Sequence, residues 1–224
     1  FRGMKRGRLR IAVNSTAKYF APLALGKFSK QYPEIELGLK ISNRETILRR
    51  IDQNLDDLYI LGQIPTTHVD LEVIPFAPNP LVIIANKQHK LVGKRITLAR
   101  LAQEPFIMRE EGSGIRSTIE KLFSKHQLTI NERLSLETNE AIKHCVAGDL
   151  GVACVSGHAL DVDSSDSHIA KLEVDGFPIQ KQWNIVYPSG KTLSVLAREF
   201  LQFLQEHGET FISLNMQNTL SKTA

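Results

Sequence analysis

The sequence predicts an α/β protein, with strands and helices alternating over short loops as in a parallel sheet covered by helices. Three observations carry that prediction. Strand-like runs at 9–13, 34–41 and 58–61 are separated by segments with helical spacing of apolar residues. A second series at 105–109, 134–137 and 152–155 repeats the order beyond a proline-rich passage. In both series the strands end in polar or glycine residues, and in open α/β sheets that is the edge where ligands bind.

The elements follow in chain order. Leu9 to Val13 alternates and reads as a strand, after which Asn14, Ser15 and Thr16 offer side chains able to cap a helix or hold a ligand. The spacing predicts a helix over about 18–31, with Phe20, Leu23, Leu25 and Phe28 inward and Pro22 near its first turn. Ile35, Leu37, Leu39 and Ile41 share one face of a second strand, and Ser42 to Glu45 has capping-box spacing before a helix with Ile47, Leu48, Ile51 and Leu55 on one face. A compact strand, 58–61, closes the first series at Gly62 and Gln63. Strands at 71–76 and 81–85 flank Pro75, Pro78 and Pro80, which fit a crossing between domains. Thr97 caps a short helix ending near Gln103.

The next stretch, 105–123, reads as strand, tight turn and helix. Gly112 and Gly114 surround Ser113, which suits the position before the first helical residue, and Arg116 follows one turn in. Unpaired N–H groups at the positive end of a helix favour a carboxylate or phosphate. The same turn can also merely connect two elements. Thr138 to Glu140 caps a helix through Ala147, and Gly148 to Gly151 turns into the strand 152–155. The polar run 161–167 reads as a loose exposed loop, without the glycine and closing glutamate of a calcium loop. Strands at 169–174 and 183–187 precede a long amphipathic helix, 193–206, which Gly208 is expected to stop, leaving 209–224 peripheral.

Composition narrows the classes. The chain has 224 residues, 42% hydrophobic and 23% charged, enough for one large core or two modest ones. No run is long enough for a membrane span, and the first residues lack the apolar core of a signal peptide, so a cytoplasmic protein is expected. Starting at Phe1 ahead of a basic run, the sequence reads like part of a longer polypeptide. The net charge of +4 is outweighed by Arg2, Lys5, Arg6, Arg8 and Arg10 at one end, so the rest is close to neutral and presents no general nucleic-acid surface. Cys145 and Cys154 lie in apolar segments without C-x-x-C spacing and read as core thiols.

The order of these motifs resembles the effector-binding domain of LysR-type transcriptional regulators over about 9–207. The carriers are 9–13 with its polar successors, Phe28-Ser29-Lys30-Gln31-Tyr32-Pro33-Glu34-Ile35, Arg109-Glu110-Glu111-Gly112-Ser113-Gly114-Ile115-Arg116 and Val146-Ala147-Gly148-Asp149-Leu150-Gly151-Val152. Within the family the chain is most similar to regulators of carbon fixation and inorganic-carbon uptake. The resemblance implies two Rossmann-like subdomains joined by crossing strands, of the periplasmic-binding-protein type II kind. They would be 9–78 plus 181–208 and 79–180, with 1–8 the end of a linker and 209–224 a C-terminal tail. It also implies an N-terminal winged helix-turn-helix that contacts DNA, and helices 18–31 and 114–125 that pair subunits into a dimer, with a tetramer in the full-length protein.

The family places a small effector between its subdomains. On that pattern Asn14, Ser15 and Thr16 form one wall, Ser113, Gly114 and Arg116 the other, and Thr138 and Asn139 the floor. Gln63 joins them, although 58–63 departs from the Asp-Leu-Ala-Ile ending common there. The implied effector is a small anionic metabolite, a phosphorylated acid such as 2-phosphoglycolate or a 2-oxo dicarboxylate such as 2-oxoglutarate, with no metal and no resident cofactor. Each residue has a structural alternative: Ser15, Ser42, Ser113 and Thr138 as caps, Arg109 and Arg116 as partners of Glu110 or Glu120. Two other functions share these residues. A hydrolase with Ser113 as nucleophile would need a base, and the seven histidines show no triad order. A transport solute-binding protein would share the fold but need an export signal. A Cys145/Cys154/His158 metal site matches no zinc spacing.

Overall fold

The computed structural model describes residues 7–64, 69–160 and 164–217. They fall into two compact units, one made of the chain up to Pro78 and from Gln182 onward, the other of Asn79–Lys181.

The first unit is built on a five-stranded mixed sheet. Its strands are β1 (Gly7–Asn14), β2 (Ile35–Ser42), β3 (Leu58–Leu61), β4 (Leu71–Pro78) and, from the far end of the chain, β11 (Gln182–Pro188). The order is β2-β1-β3-β11-β4. β1 pairs parallel with β2 and β3, whereas β11 runs antiparallel to both its neighbours. The sheet is therefore parallel only over its first three strands. Leu9, Ile11, Val13, Leu58 and Ile60 point into one core layer, and Ala12, Tyr59 and Leu61 into the other. That two-sided burial explains why β3 is uniformly apolar.

Two helices follow the parallel strands. The segment after β1 is not one helix but a 3-10 turn, Ser15–Tyr19, and then α1 (Ala21–Gln31). Pro22 dictates the break, because a helix begun at Lys18 would place the ring against a carbonyl one turn back. α2 (Arg44–Asp52) is capped by Asn43, whose Oδ1 accepts from Thr46 N at 3.0 Å, so Ser42 stays in β2. The last helix, α6 (Val195–Gln217), runs straight through Gly208. A Cβ at 208 would stand 2.4 Å from Phe76 Cδ2, so the glycine is a packing residue that lets helix and ring approach, not a stop. Phe211 and Ile212 beyond it are buried in the same core. Trp183 anchors that layer, with the Phe20 ring edge-on at 5.0 Å.

The second unit holds β5 (Leu81–Asn86), β6 (Arg95–Ile96), α3 (Leu98–Leu101), β7 (Phe106–Arg109), α4 (Gly114–Lys125), β8 (Glu132–Leu136), α5 (Asn139–Ala147), β9 (Ala153–Ser156) and β10 (Ile169–Val174). One sheet has the order β6-β10-β5-β9; β7 and β8 form a parallel pair. Alternate residues of β5 again serve two layers, Leu81, Ile83 and Ala85 facing one core and Ile84 another with Ile142 and Val146 of α5.

Part of the polar run expected to be a loose loop forms a turn. Asp161 to Asp163 lie outside the described residues, but Ser164–His168 forms a 3-10 turn. Its Asp166 carboxylate reaches Lys143 Nζ at 3.0 Å, and Lys143 is completely buried. Cys154 is buried on β9 and Cys145 half-buried on α5, both free; burial pushes the Cys154 thiol up. Among the described residues no helix is long and apolar enough to cross a membrane, and no three potential ligands gather for a metal ion.

Candidate functional site

In the first unit the polar residues after the parallel strands meet at one sheet edge. Asn14 and Ser42 are ladder partners at the ends of β1 and β2, while Val13 pairs with Ile60, which places Gln63 just past the end of β3. Ser15 Oγ donates to the Ser42 carbonyl at 3.0 Å and ties the 3-10 turn to that edge. Thr16 is almost fully buried in the same turn.

Three side-chain atoms at this edge are buried without a hydrogen-bond partner: Asn14 Oδ1, Gln63 Nε2 and Arg44 Nε. Such atoms are rare in folded proteins, because each forfeits its hydration, about 1–3 kcal/mol. Arg44 is the first residue of α2, where the helix end is itself positive, and burial lowers its guanidinium pKa with nothing opposing. Elsewhere Arg50, Arg95, Arg100, Arg109 and Arg116 each hold a carboxylate at 2.6–2.9 Å. In the sequence Arg44 is marked only by its place inside the capping-box spacing of Ser42 to Glu45.

The second unit has a comparable edge. Gly112 adopts φ +83, which only glycine does freely, and delivers Ser113 to the N-cap of α4. Ser113 is buried, yet its hydroxyl makes no capping bond, so the N–H groups opening the helix at Gly114 keep their capacity for an acceptor. The other candidates here have partners. Arg116 donates to Glu120 at 2.7 Å, to both oxygens of Glu132 at 3.1 and 2.9 Å and to the Arg109 carbonyl at 3.0 Å. Glu132 in particular raises its pKa. Thr138 caps α5 by accepting from Ala141 N at 3.2 Å. Asn139 Oδ1 accepts from Arg109, whose guanidinium also forks onto Glu110 at 2.8 and 3.0 Å. Arg116 and Thr138 thus have protein partners, while Ser113 keeps an uncommitted hydroxyl.

An open groove of about 560 Å³ lies at the opposite end of the first unit's strands, lined by Ile51, Asp52, Asn54 and 188–192. Its lysine, Lys191, already donates to Asn54 Oδ1 and the Asp56 carbonyl, so among the described residues the groove has no free cation of its own.

Two α/β units with mixed sheets and polar strand ends are the architecture of type II periplasmic-binding-protein folds, a class that binds small molecules. The chain belongs to the LysR substrate binding domain family, whose model matches residues 2–209. It is the effector-binding domain of a LysR-type transcriptional regulator and not an enzyme. It is 47% identical over 208 residues to the HTH-type transcriptional activator CmpR of Synechocystis, covering 92% of this chain and 68% of that protein. It is 43% identical over 204 residues to the RuBisCO operon transcriptional regulator of Allochromatium vinosum, covering 91% and 67%. The regulatory domain of Synechocystis PCC6803 CcmR, solved in complex with 2-PG, matches with a TM-score of 0.85 at 45% identity, over 89% of this chain and 96% of that one. The chain spans about two thirds of the length of these curated relatives.

Proposed function

We propose that this domain senses a small dianionic or trianionic metabolite of the 2-phosphoglycolate type. Asn14, Ser15, Thr16 and Gln63 line its site in the first unit, and Ser113 with the Gly114 amide forms the second unit's own anion-accepting edge. The observation that carries the reading is the set of buried polar atoms with no partner at the ends of β1 and β3. Arg116, Thr138 and Asn139 shape the second edge through their protein partners. The 45% identity to a domain solved with 2-PG supports the phosphorylated acid over a 2-oxo dicarboxylate. The effector acts by binding one arrangement of the regulator better than another, the only way a ligand moves such an equilibrium. In the whole regulator that bias passes to an N-terminal winged helix-turn-helix on DNA, in the cytoplasm.

The test is thermal unfolding. At a hundred times its dissociation constant a native-state ligand adds about 2.7 kcal/mol, which for a chain of this size raises the melting temperature on the order of 5–10 °C. We expect that shift with 2-phosphoglycolate and a smaller one with 2-oxoglutarate; equal or absent shifts would overturn the assignment.

The domain also pairs with a second copy through α1 and α4, and the full-length regulator forms a tetramer. The edge strand β2 supports self-association, since Leu37, Leu39 and Ile41 remain 38%, 37% and 39% exposed along one side. Analytical ultracentrifugation should return twice the chain mass, and a monomer at high concentration would contradict it.

A further inference from the structure

We infer that Arg44 is the residue that reads the effector's charge, taking an acidic group of the ligand at the start of α2. The inference rests on the effector reading above and names the group responsible for its selectivity.

A guanidinium is not deprotonated in proteins, so burying part of one without a counter-ion leaves a positive charge that the fold alone does not offset. At Arg44 three unfavourable choices coincide: a buried Nε without a partner, a cation on the first residue of a helix, and no paired carboxylate among the described residues. The nearest acid on its own helix, Glu45, turns instead to Arg49 at 3.9 Å. Folding alone favours none of this.

An anion reverses all three at once. A phosphate or carboxylate beside Arg44 would take its Nε–H, meet the N–H groups that open α2, and accept from Gln63 Nε2. Thr46 N is already held by Asn43, so the free amides are those at the very start of the helix. Asn14 lies on the neighbouring strand end, and rotation of its amide exchanges the unpartnered Oδ1 for a donor. Local stability is given up where a ligand will supply it, as binding sites commonly do.

The experiment compares wild type, Arg44→Gln and Arg44→Lys by isothermal titration and thermal unfolding, with 2-phosphoglycolate and with glycolate, which lacks the phosphate. For 2-phosphoglycolate the glutamine variant should bind at least about tenfold more weakly, as loss of a charge-assisted bond implies. The lysine variant should stay within a few-fold of wild type, and glycolate should discriminate the variants less. Without ligand, Arg44→Gln should melt no lower than wild type. If wild type binds 2-phosphoglycolate and Arg44→Gln binds it equally well, the charge reader is refuted while the effector reading stands. If wild type binds neither ligand, both fall. An Arg44→Gln chain that unfolds or melts well below wild type would make Arg44 a structural residue and refute the inference.

Discussion

Gly151→Ala should destabilise this domain by about 2–6 kcal/mol, a large share of the 5–15 kcal/mol that holds a typical domain folded. Gly151 has φ +157, and a Cβ added there would stand 2.4 Å from the Pro105 carbonyl oxygen and 3.0 Å from its carbon. That neighbour is backbone and cannot swing away. The same carbonyl accepts from Val152 N at 2.8 Å, and Ile107 N donates to the Val152 carbonyl at 2.8 Å, so the contact is what joins β7 to β9. Relief would require separating strands with core layers on both sides. Overpacking of a tight site costs about 1–3 kcal/mol and backbone strain at a glycine-only conformation about 1–3 more. Urea denaturation measures it as a lowered midpoint with unchanged slope. Gly26→Ala is the control, since nothing lies within 4 Å of its added Cβ in the middle of α1, and alanine there should be neutral or stabilising. A Gly151→Ala midpoint matching wild type would refute the account.

How much of this was legible in the sequence depends on the range of the interaction. Caps are local, and Thr97 and Thr138 sit where side-chain chemistry placed them, accepting from Arg100 N and Ala141 N. Strands β1 to β3 were legible because alternation or continuous apolarity is written along the chain, and their ends fixed the neighbourhood of Asn14 and Gln63. Long-range packing was not. Gly208 near the end of an apolar period signals a helix stop, and only the Phe76 ring against it explains why the helix continues. Arg116 had an obvious partner four residues on in Glu120, yet Glu132, sixteen residues away, takes both outer guanidinium nitrogens. Arg44 shows the harder limit. Lacking a partner is a property of the whole neighbourhood, and no residue in the sequence marks it.

The Lys143 and Asp166 pair gives the second large effect, and its sign separates charge from packing. Lys143 Nζ donates to the Ala159 carbonyl at 2.8 Å and to Asp166 Oδ2 at 3.2 Å while fully buried; the Asp166 side chain is 8% exposed. Asp166→Ala removes a carboxylate that offsets a desolvated ammonium, and breaking a buried pair from one side costs about 3–5 kcal/mol. Lys143→Met, similar in length and uncharged, leaves the carboxylate without the lysine and should also destabilise. The double variant Lys143→Met/Asp166→Ala should lie well above the sum of the singles, because an apolar replacement of the whole pair carries no uncompensated charge. Chemical denaturation of the four proteins closes the cycle, and hydrogen exchange in 164–170 should rise first in Asp166→Ala, since that carboxylate ties the 3-10 turn to α5. Strict additivity would mean that the pair stabilises nothing by its charges and that the turn is held by packing. The lysine belongs beside Ile142 and Val146 on an inward helix face, a position that apolar residues would ordinarily fill. How far its burial there depends on the Asp166 carboxylate is what the cycle measures.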